Sequence, residues 1–328
     1  MCSYKYGLID GNYFLRRNFS AAKRAGNLVG DDPNNLTRSF LCTVLGYKEK
    51  INFDKTIVVW DYSPYKKLLD ITEYKQNRHY ATREELLELN ELIEKETDTN
   101  KKLELIAKRD ALQYDLDCEK VFADTKNALF NGLDSSSITN IRIKGYEADD
   151  LAYLISSHLS KNNESCILVT ADSDWLAFVQ GNVTVYKESR TKGTKYYTIN
   201  ESPYMAEAEE LQCSAYVVGN LMEAYTGGHN NVDKYSHSEI PFIDFARKLL
   251  QKDLTLPDYE YFWKRVAALN IENYDNDIVV ETFNKLMAVP IDNTKATELM
   301  KSLGWNMLER FNQAFKIEAP PSFGGFVF

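Results

Sequence analysis

The chain has 328 residues, enough to bury a sizeable core in one large domain or two modest ones. Apolar residues make up 44%, no run of 18 of them exists to span a membrane, and the start "MCSYKYGLIDGNYF" lacks the sections of a secretory signal, so a cytoplasmic protein is expected. Net charge is −9, from 39 Lys and Arg against 48 Asp and Glu, which excludes a uniformly basic nucleic-acid binder but not a locally basic face.

In chain order, short apolar or β-branched runs stand at 4–9 ("YKYGLI"), 55–60 ("KTIVVW"), 140–143 ("NIRI"), 166–170 ("CILVT"), 183–186 ("VTVY") and 195–199 ("KYYTI"). Several are apolar throughout, as in strands covered on both faces, and helical stretches separate them. That pattern predicts an α/β fold with a mainly parallel sheet. Between 83 and 110, 15 of 28 residues are charged, over a thin apolar stripe at Leu86, Leu89, Leu92 and Ile93. Thr82 with Glu85 three residues later is a capping-box start. "TDTNKK" (97–102) reads as a break before a second helix through Leu103, Ile106 and Leu116. Such a charged helical pair buries little and should project from the sheet. After about residue 204 the strand signal fades, which places a boundary between a strand-and-helix unit at 1–204 and a helical unit at 205–328. The five cysteines (Cys2, Cys42, Cys118, Cys166, Cys213) are never spaced as CxxC, and the four histidines never as HExxH. A disulfide framework and a zinc hydrolase are thereby disfavoured.

The carboxylates fall at informative places. Asp10 follows the first apolar run, Asp61 the second, and Asp172 with Asp174 follows "CILVT". In an open parallel sheet the carboxyl ends of the strands line one crevice, where ligands bind. "GYEADD" adds Glu147, Asp149 and Asp150 at the start of a helix, whose positive end can hold them. Any one of these is commonly a turn former or cap. Repeated after several strands, they point to a shared site for hard divalent cations, Mg²⁺ or Mn²⁺, because crowded oxygen anions need neutralising. Two such ions about 4 Å apart would serve phosphodiester hydrolysis.

Basic residues accompany them: Arg16, Arg17, Lys23 and Arg24 after Asp10, then Lys66, Lys67, Lys75 and Arg78 after Asp61. "KESRTKGTK" adds Lys187, Arg190, Lys192 and Lys195, and Lys234 lies further on. These can meet phosphates, and Tyr13, Phe14, Tyr62, Tyr65, Tyr74 and Tyr80 among them can pack in the core or stack on unpaired bases.

The pieces "LIDGNYF", "VVWDYSPYKK…EYKQNR", "KGYEADDLA" and "LVTADSDWLAF", in this order over residues 4–235, resemble the flap endonuclease (5′-nuclease) superfamily, with the ribonucleases H of T-even bacteriophages as the nearest branch. The resemblance implies a PIN-like α/β core, a helical arch at about 80–130, and a helical C-terminal domain with a helix–three-turn–helix element. It further implies a monomer that removes 5′ flaps and RNA primers, from branched DNA and RNA–DNA hybrids, with two Mg²⁺ or Mn²⁺ ions. Carried onto matching positions, Asp10, Asp61, Glu147 and Asp149 would hold the first metal and Asp172 and Asp174 the second, with Asp150 nearby. Lys75 and Arg78 match the basic pair that meets the scissile phosphate.

One stretch departs from the family pattern. Where the family has "GDxxDN", this chain has "TGGHNNVDKY", so that Gly228 and Asn230 stand at the aspartate positions. Asn230, Asn231 or the shifted Asp233 could substitute, or the second metal is weakly held. A branched-DNA-binding protein with weak or no cleavage therefore stands as an alternative, and a PIN-type ribonuclease, which would share the carboxylates without needing the arch, is another. The end "PPSFGGFVF" carries Phe323, Phe326 and Phe328 behind two prolines, a tail that could fold back or dock on a sliding clamp.

Overall fold

The computed structural model describes residues 4–28, 32, 34–62, 67, 82–189, 193–227, 234–235 and 239–317. Strand β1 (Tyr4–Asp10) runs directly into helix α1 (Gly11–Arg24). Gly11 permits this, since a Cβ there would stand 2.7 Å from the Trp60 ring. Helix α2 (Asn35–Lys50) leads to β2 (Phe53–Val59). The charged insert is a helical hairpin, α3 (Arg83–Lys95) and α4 (Thr99–Gly132). It opens on the expected capping box: Thr82 Oγ1 accepts from Glu85 N at 3.2 Å, and Glu85 Oε2 accepts from Thr82 N at 2.8 Å. No residue of α3 is buried, and Leu87, Leu92 and Leu103 are more than half exposed, so the hairpin's far end projects. The second helix begins earlier and runs further than its apolar stripe suggested, 34 residues or about 50 Å. Its later part buries Cys118, Thr125 and Leu129, which anchors the hairpin to the body.

Strand β3 (Ile138–Ile141) follows, then α5 (Ala148–Lys161), β4 (Cys166–Thr170), a 3-10 turn at Asp174–Phe178, β5 (Val183–Ser189) and β6 (Gly193–Tyr197). The third strand lies two residues earlier than "NIRI" predicts. Asn140 sits inside it, accepting from Trp60 Nε1 at 2.9 Å, so the strand runs through a polar residue at which the apolar run only began. The remaining helices are α6 (Met205–Leu211), α7 (Ala215–Thr226), α8 (Phe242–Leu250), α9 (Tyr259–Leu269), α10 (Asp277–Ala288), α11 (Thr294–Ser302) and α12 (Trp305–Phe315). Among the described residues no helix is long and apolar enough to cross a membrane.

The sheet order is β3-β2-β1-β4-β5-β6, parallel except for the edge pair β5–β6. This is an α/β fold with helices on both faces. Alternation along the strands sorts the core. Ile9, Val58, Ile167 and Val169 face one layer with α1, α2, α11 and α12. Leu8, Ile57, Val59 and Leu168 face the other with α5, Tyr216 of α7 and Val279 and Phe283 of α10. The chain beyond 204 thus packs on both faces of the sheet, and α7, α8 and α9 add a smaller core of their own around Tyr235 and Phe245.

Candidate metal centre

Strand order reverses at β1, with β2 and β3 on one side and β4 and β5 on the other. The carboxyl ends of β2, β1 and β4 therefore flank one crevice, and Asp61, Asp10 and Asp172 stand at those ends. Asp10 closes β1 and caps α1, its Oδ1 accepting from Tyr13 N at 2.9 Å. The Thr170 hydroxyl, at the end of β4, donates to Asp10 Oδ2 at 3.1 Å. Asp10 is only 4% exposed, and its pKa is pushed up to about 7. Burial is the largest cause, followed by the like charges of Asp172 and Asp61, while the Tyr13 and Thr170 donors pull the other way.

Asp61 Oδ1 accepts from Ala148 N at 2.7 Å, which ties the end of β2 to the start of α5. Glu147 and Asp150 form a capping box there, with Glu147 N donating to Asp150 Oδ2 at 3.0 Å. Both are buried, and the Lys67 ammonium lies 2.9 Å from each. Burial raises the Asp150 pKa, and Lys67 opposes that rise. Asp149 Oδ1 accepts from Trp175 Nε1 at 2.6 Å. Asp172 N donates to Thr170 Oγ1 at 3.0 Å, and Asp172 Oδ1 accepts from Asp174 N at 3.0 Å.

The expected carboxylates thus gather around the carboxyl ends of the central strands, yet in separate pairs. Among the described residues no three of His, Cys, Asp and Glu stand together as one ion's ligand set. The donors are nonetheless all hard oxygens. Burial and like charge raise the proton affinity of Asp10, whereas the buried Lys67 ammonium already neutralises part of the charge of Glu147 and Asp150. By donor chemistry, all-oxygen ligands of this kind suit a hard divalent cation.

The basic residues divide differently from expectation. Lys67 is buried within the carboxylates and does not present its ammonium on an open phosphate-facing surface. Arg16 pairs with Glu119 at 2.7 Å and Arg17 with Glu188 at 2.6 Å. Lys187 donates to the Ser173 hydroxyl between Asp172 and Asp174. Lys195 and Lys234 are exposed. Lys66, Lys75, Arg78, Arg190, Lys192, Asn230, Asn231, Asp233 and the tail Phe323–Phe328 lie outside the described residues. Of the aromatics, Phe14 is core and Tyr62 is 42% exposed.

Sequence reading missed Lys126. From α4 its Nζ reaches the Asp61 carbonyl at 3.3 Å and Asn12 Oδ1 at 3.4 Å, over the Trp60 ring. Burial lowers its pKa, and Asp61 holds it up. Nothing local in "ADTKNALF" announces this, because the contact joins residues 65 apart. Trp175 and Thr170 were missed for the same reason: their bonds to Asp149 and Asp10 join residues 26 and 160 apart.

No protein-family model matches the sequence, and no curated protein matches it. The fold is similar to solved structures from bacteriophage T5. One is a 5′-exonuclease with divalent zinc bound, 17% identical, TM-score 0.47, covering 95% of this chain and 98% of that one. Another is a flap endonuclease in a pseudo-enzyme-product complex with DNA and metal ions, 16% identical, TM-score 0.45, with the same coverage.

Proposed function

We propose that this chain is a divalent-metal-dependent 5′ nuclease that hydrolyses phosphodiesters at 5′ flaps and RNA primers during replication. The observation that carries the proposal is the placement of Asp10, a buried carboxylate at the end of β1, with Asp61 and Asp172 just after the two neighbouring parallel strands and Thr170 at the end of β4 bonded to it. Such a group gains most from a cation beside it. Asp10, Asp61, Glu147 and Asp149 would hold one ion, and Asp172 and Asp174 a second, with Mg²⁺ or Mn²⁺ suited to oxygen donors. Ions so held supply Lewis-acid polarisation of the phosphodiester and an acidified water.

The chain's own residues do the rest. Thr170 and the Tyr13 amide fix the Asp10 carboxylate in place, and the Ala148 amide does the same for Asp61. Lys187 and Lys195 on the antiparallel edge offer charge to a phosphate backbone near Asp172 and Asp174. The projecting α3–α4 hairpin would serve as an arch that selects a free 5′ end, with Lys126, bonded to the Asp61 carbonyl, at its base. Lys75 and Arg78 are assigned to the scissile phosphate, and the Phe323–Phe328 tail to a sliding clamp.

The test is a 5′-flapped duplex and an RNA–DNA hybrid incubated with the protein and Mg²⁺. Wild type should cut near the junction, and Asp10→Asn should keep binding while losing cleavage by at least about a thousandfold, on the order of 4 kcal/mol of barrier. Wild type that binds the flap in Mg²⁺ and leaves it whole would sink the nuclease reading in favour of a branched-DNA-binding protein.

A further inference from the structure

We infer that a cavity toward the amino ends of β2 and β3 receives residues 318–328 of this same chain, with a phenylalanine ring inside it. The inference is independent of the nuclease reading, and the cavity lies away from the carboxyl ends where Asp10, Asp61 and Asp172 stand. It holds about 190 Å³ between the end of α4, the first residues of β3 and the stretch after α10. Its apolar wall consists of Phe130, Leu133, Leu286, Met287, Val289 and Ile291. An apolar cavity of about 150 Å³ takes up benzene, so a phenyl ring fits this one. Val289 and Ile291 are 41% and 53% exposed, which leaves apolar surface in water around it.

Thr56 is the independent sign of an occupant. It is 1% exposed, it lines the cavity, and its hydroxyl has no hydrogen-bond partner among the described residues. Buried hydroxyls are almost always paired, so an unpaired one on a cavity wall marks where a further donor or acceptor arrives. A purely hydrocarbon guest cannot supply that bond. An aromatic peptide can, because every residue but proline brings an amide and a carbonyl beside its side chain.

The choice of segment follows from where the described residues stop. Ile317, the last of them, packs on the core with Phe315. The Lys48 ammonium lies 5.6 Å from the Phe315 ring and 5.1 Å from the Phe53 ring, so the chain leaves the body beside the start of β2. Lys55, on the cavity wall, is two residues further along that strand, about 7 Å. Residues 318–328, "EAPPSFGGFVF", reach about 36 Å when extended. Beyond Glu318 they carry no charge and three phenylalanines, which water disfavours. Gly324 and Gly325 have no side chains, so the backbone between two of the rings can come close against Thr56. A segment held in this way keeps its rings out of water until a partner draws them off.

The experiment measures hydrogen exchange by mass spectrometry on the full chain, beside a full-length variant combining Phe323→Ser, Phe326→Ser and Phe328→Ser. Amides over 135–140 and 286–291 should exchange at least about fivefold faster in the variant. A tethered segment acts at roughly millimolar effective concentration, so free peptide EAPPSFGGFVF at that level should restore slow exchange to the variant. Ile291→Glu, at an exposed position on the wall, should speed removal of the tail by chymotrypsin about as much. Equal exchange in wild type and the triple variant overturns the inference. So does faster exchange that the peptide fails to reverse, which would mean the tail acts from elsewhere. Light scattering covers the remaining occupant: a wild-type dimer that the triple variant loses would assign the cavity to the tail of a second copy, and overturn docking within one chain.

Discussion

The Lys67 ammonium lies 2.9 Å from Glu147 Oε2, in a pocket where both side chains are over nine-tenths buried, and it lies as close to Asp150. A lysine thus neutralises two of the carboxylates assigned to the metal centre. Removing one partner of a buried pair leaves uncompensated charge, at a cost of roughly 3–5 kcal/mol. Lys67→Met should therefore lose about that much stability in EDTA, measured by urea denaturation. Saturating Mg²⁺ should return a substantial part of the loss by replacing the missing charge. Equal destabilisation with and without Mg²⁺ would show that no cation reaches these carboxylates.

Asp10 makes stability depend on pH in a defined direction. Its carboxyl titrates at 3.8 when unperturbed and at about 7 in the fold. Between these values the folded state binds more protons than the unfolded one, so this group's contribution declines as pH rises from about 4 through about 7. In EDTA the melting temperature should fall across that window, and Asp10→Asn should flatten the decline and raise Tm by a few degrees above pH 7, roughly 2–4 °C per kcal/mol. A profile unchanged by the substitution would contradict the assignment.

Thr170 links two strands through side chains, donating to Asp10 and accepting from the Asp172 amide. Thr170→Val preserves shape and removes both bonds. A hydrogen bond to a charged group contributes about 1.5–3 kcal/mol, so a loss near that range is expected above pH 7, where Asp10 is ionised. Below pH 5, with Asp10 protonated, the loss should shrink. Chemical denaturation at the two pH values measures the difference.

Lys126 competes with a cation for the field of Asp61. Lys126→Met should tighten Mn²⁺ binding a few-fold and weaken cleavage by about tenfold, since a charge that can face phosphate is lost. Calorimetry and single-turnover cleavage separate the two effects. Looser metal binding would assign Lys126 a structural part instead.

Gly219→Ala sets two effects against each other. Alanine in a helix interior gains up to about 1 kcal/mol over glycine. Here the added Cβ meets the Ala177 Cβ at 2.8 Å, and overpacking of that kind costs roughly 1–3 kcal/mol. A net destabilisation of up to about 2 kcal/mol is expected by denaturant titration. Net stabilisation would mean that α7 stands further from the Asp174 turn.

Chain order alone determined the sheet and the acidic frame. Strands apolar on both faces announce a covered parallel sheet, and the aspartates directly after them fall at one end because parallel strands share a direction. The capping box at Thr82 and Glu85 was equally legible, since caps are made by neighbours. What the sequence could not hold was pairing across distance. That Lys67 turns inward to Glu147, 80 residues on, that Lys126 reaches Asp61, and that Gly219 brings Glu223 toward Asp174 are products of packing. A lysine reads the same whether it faces water or a buried carboxylate. Only the tertiary structure, by deciding which charges lose their solvent, separates the cations that could meet a phosphate from the one that already holds the carboxylates together.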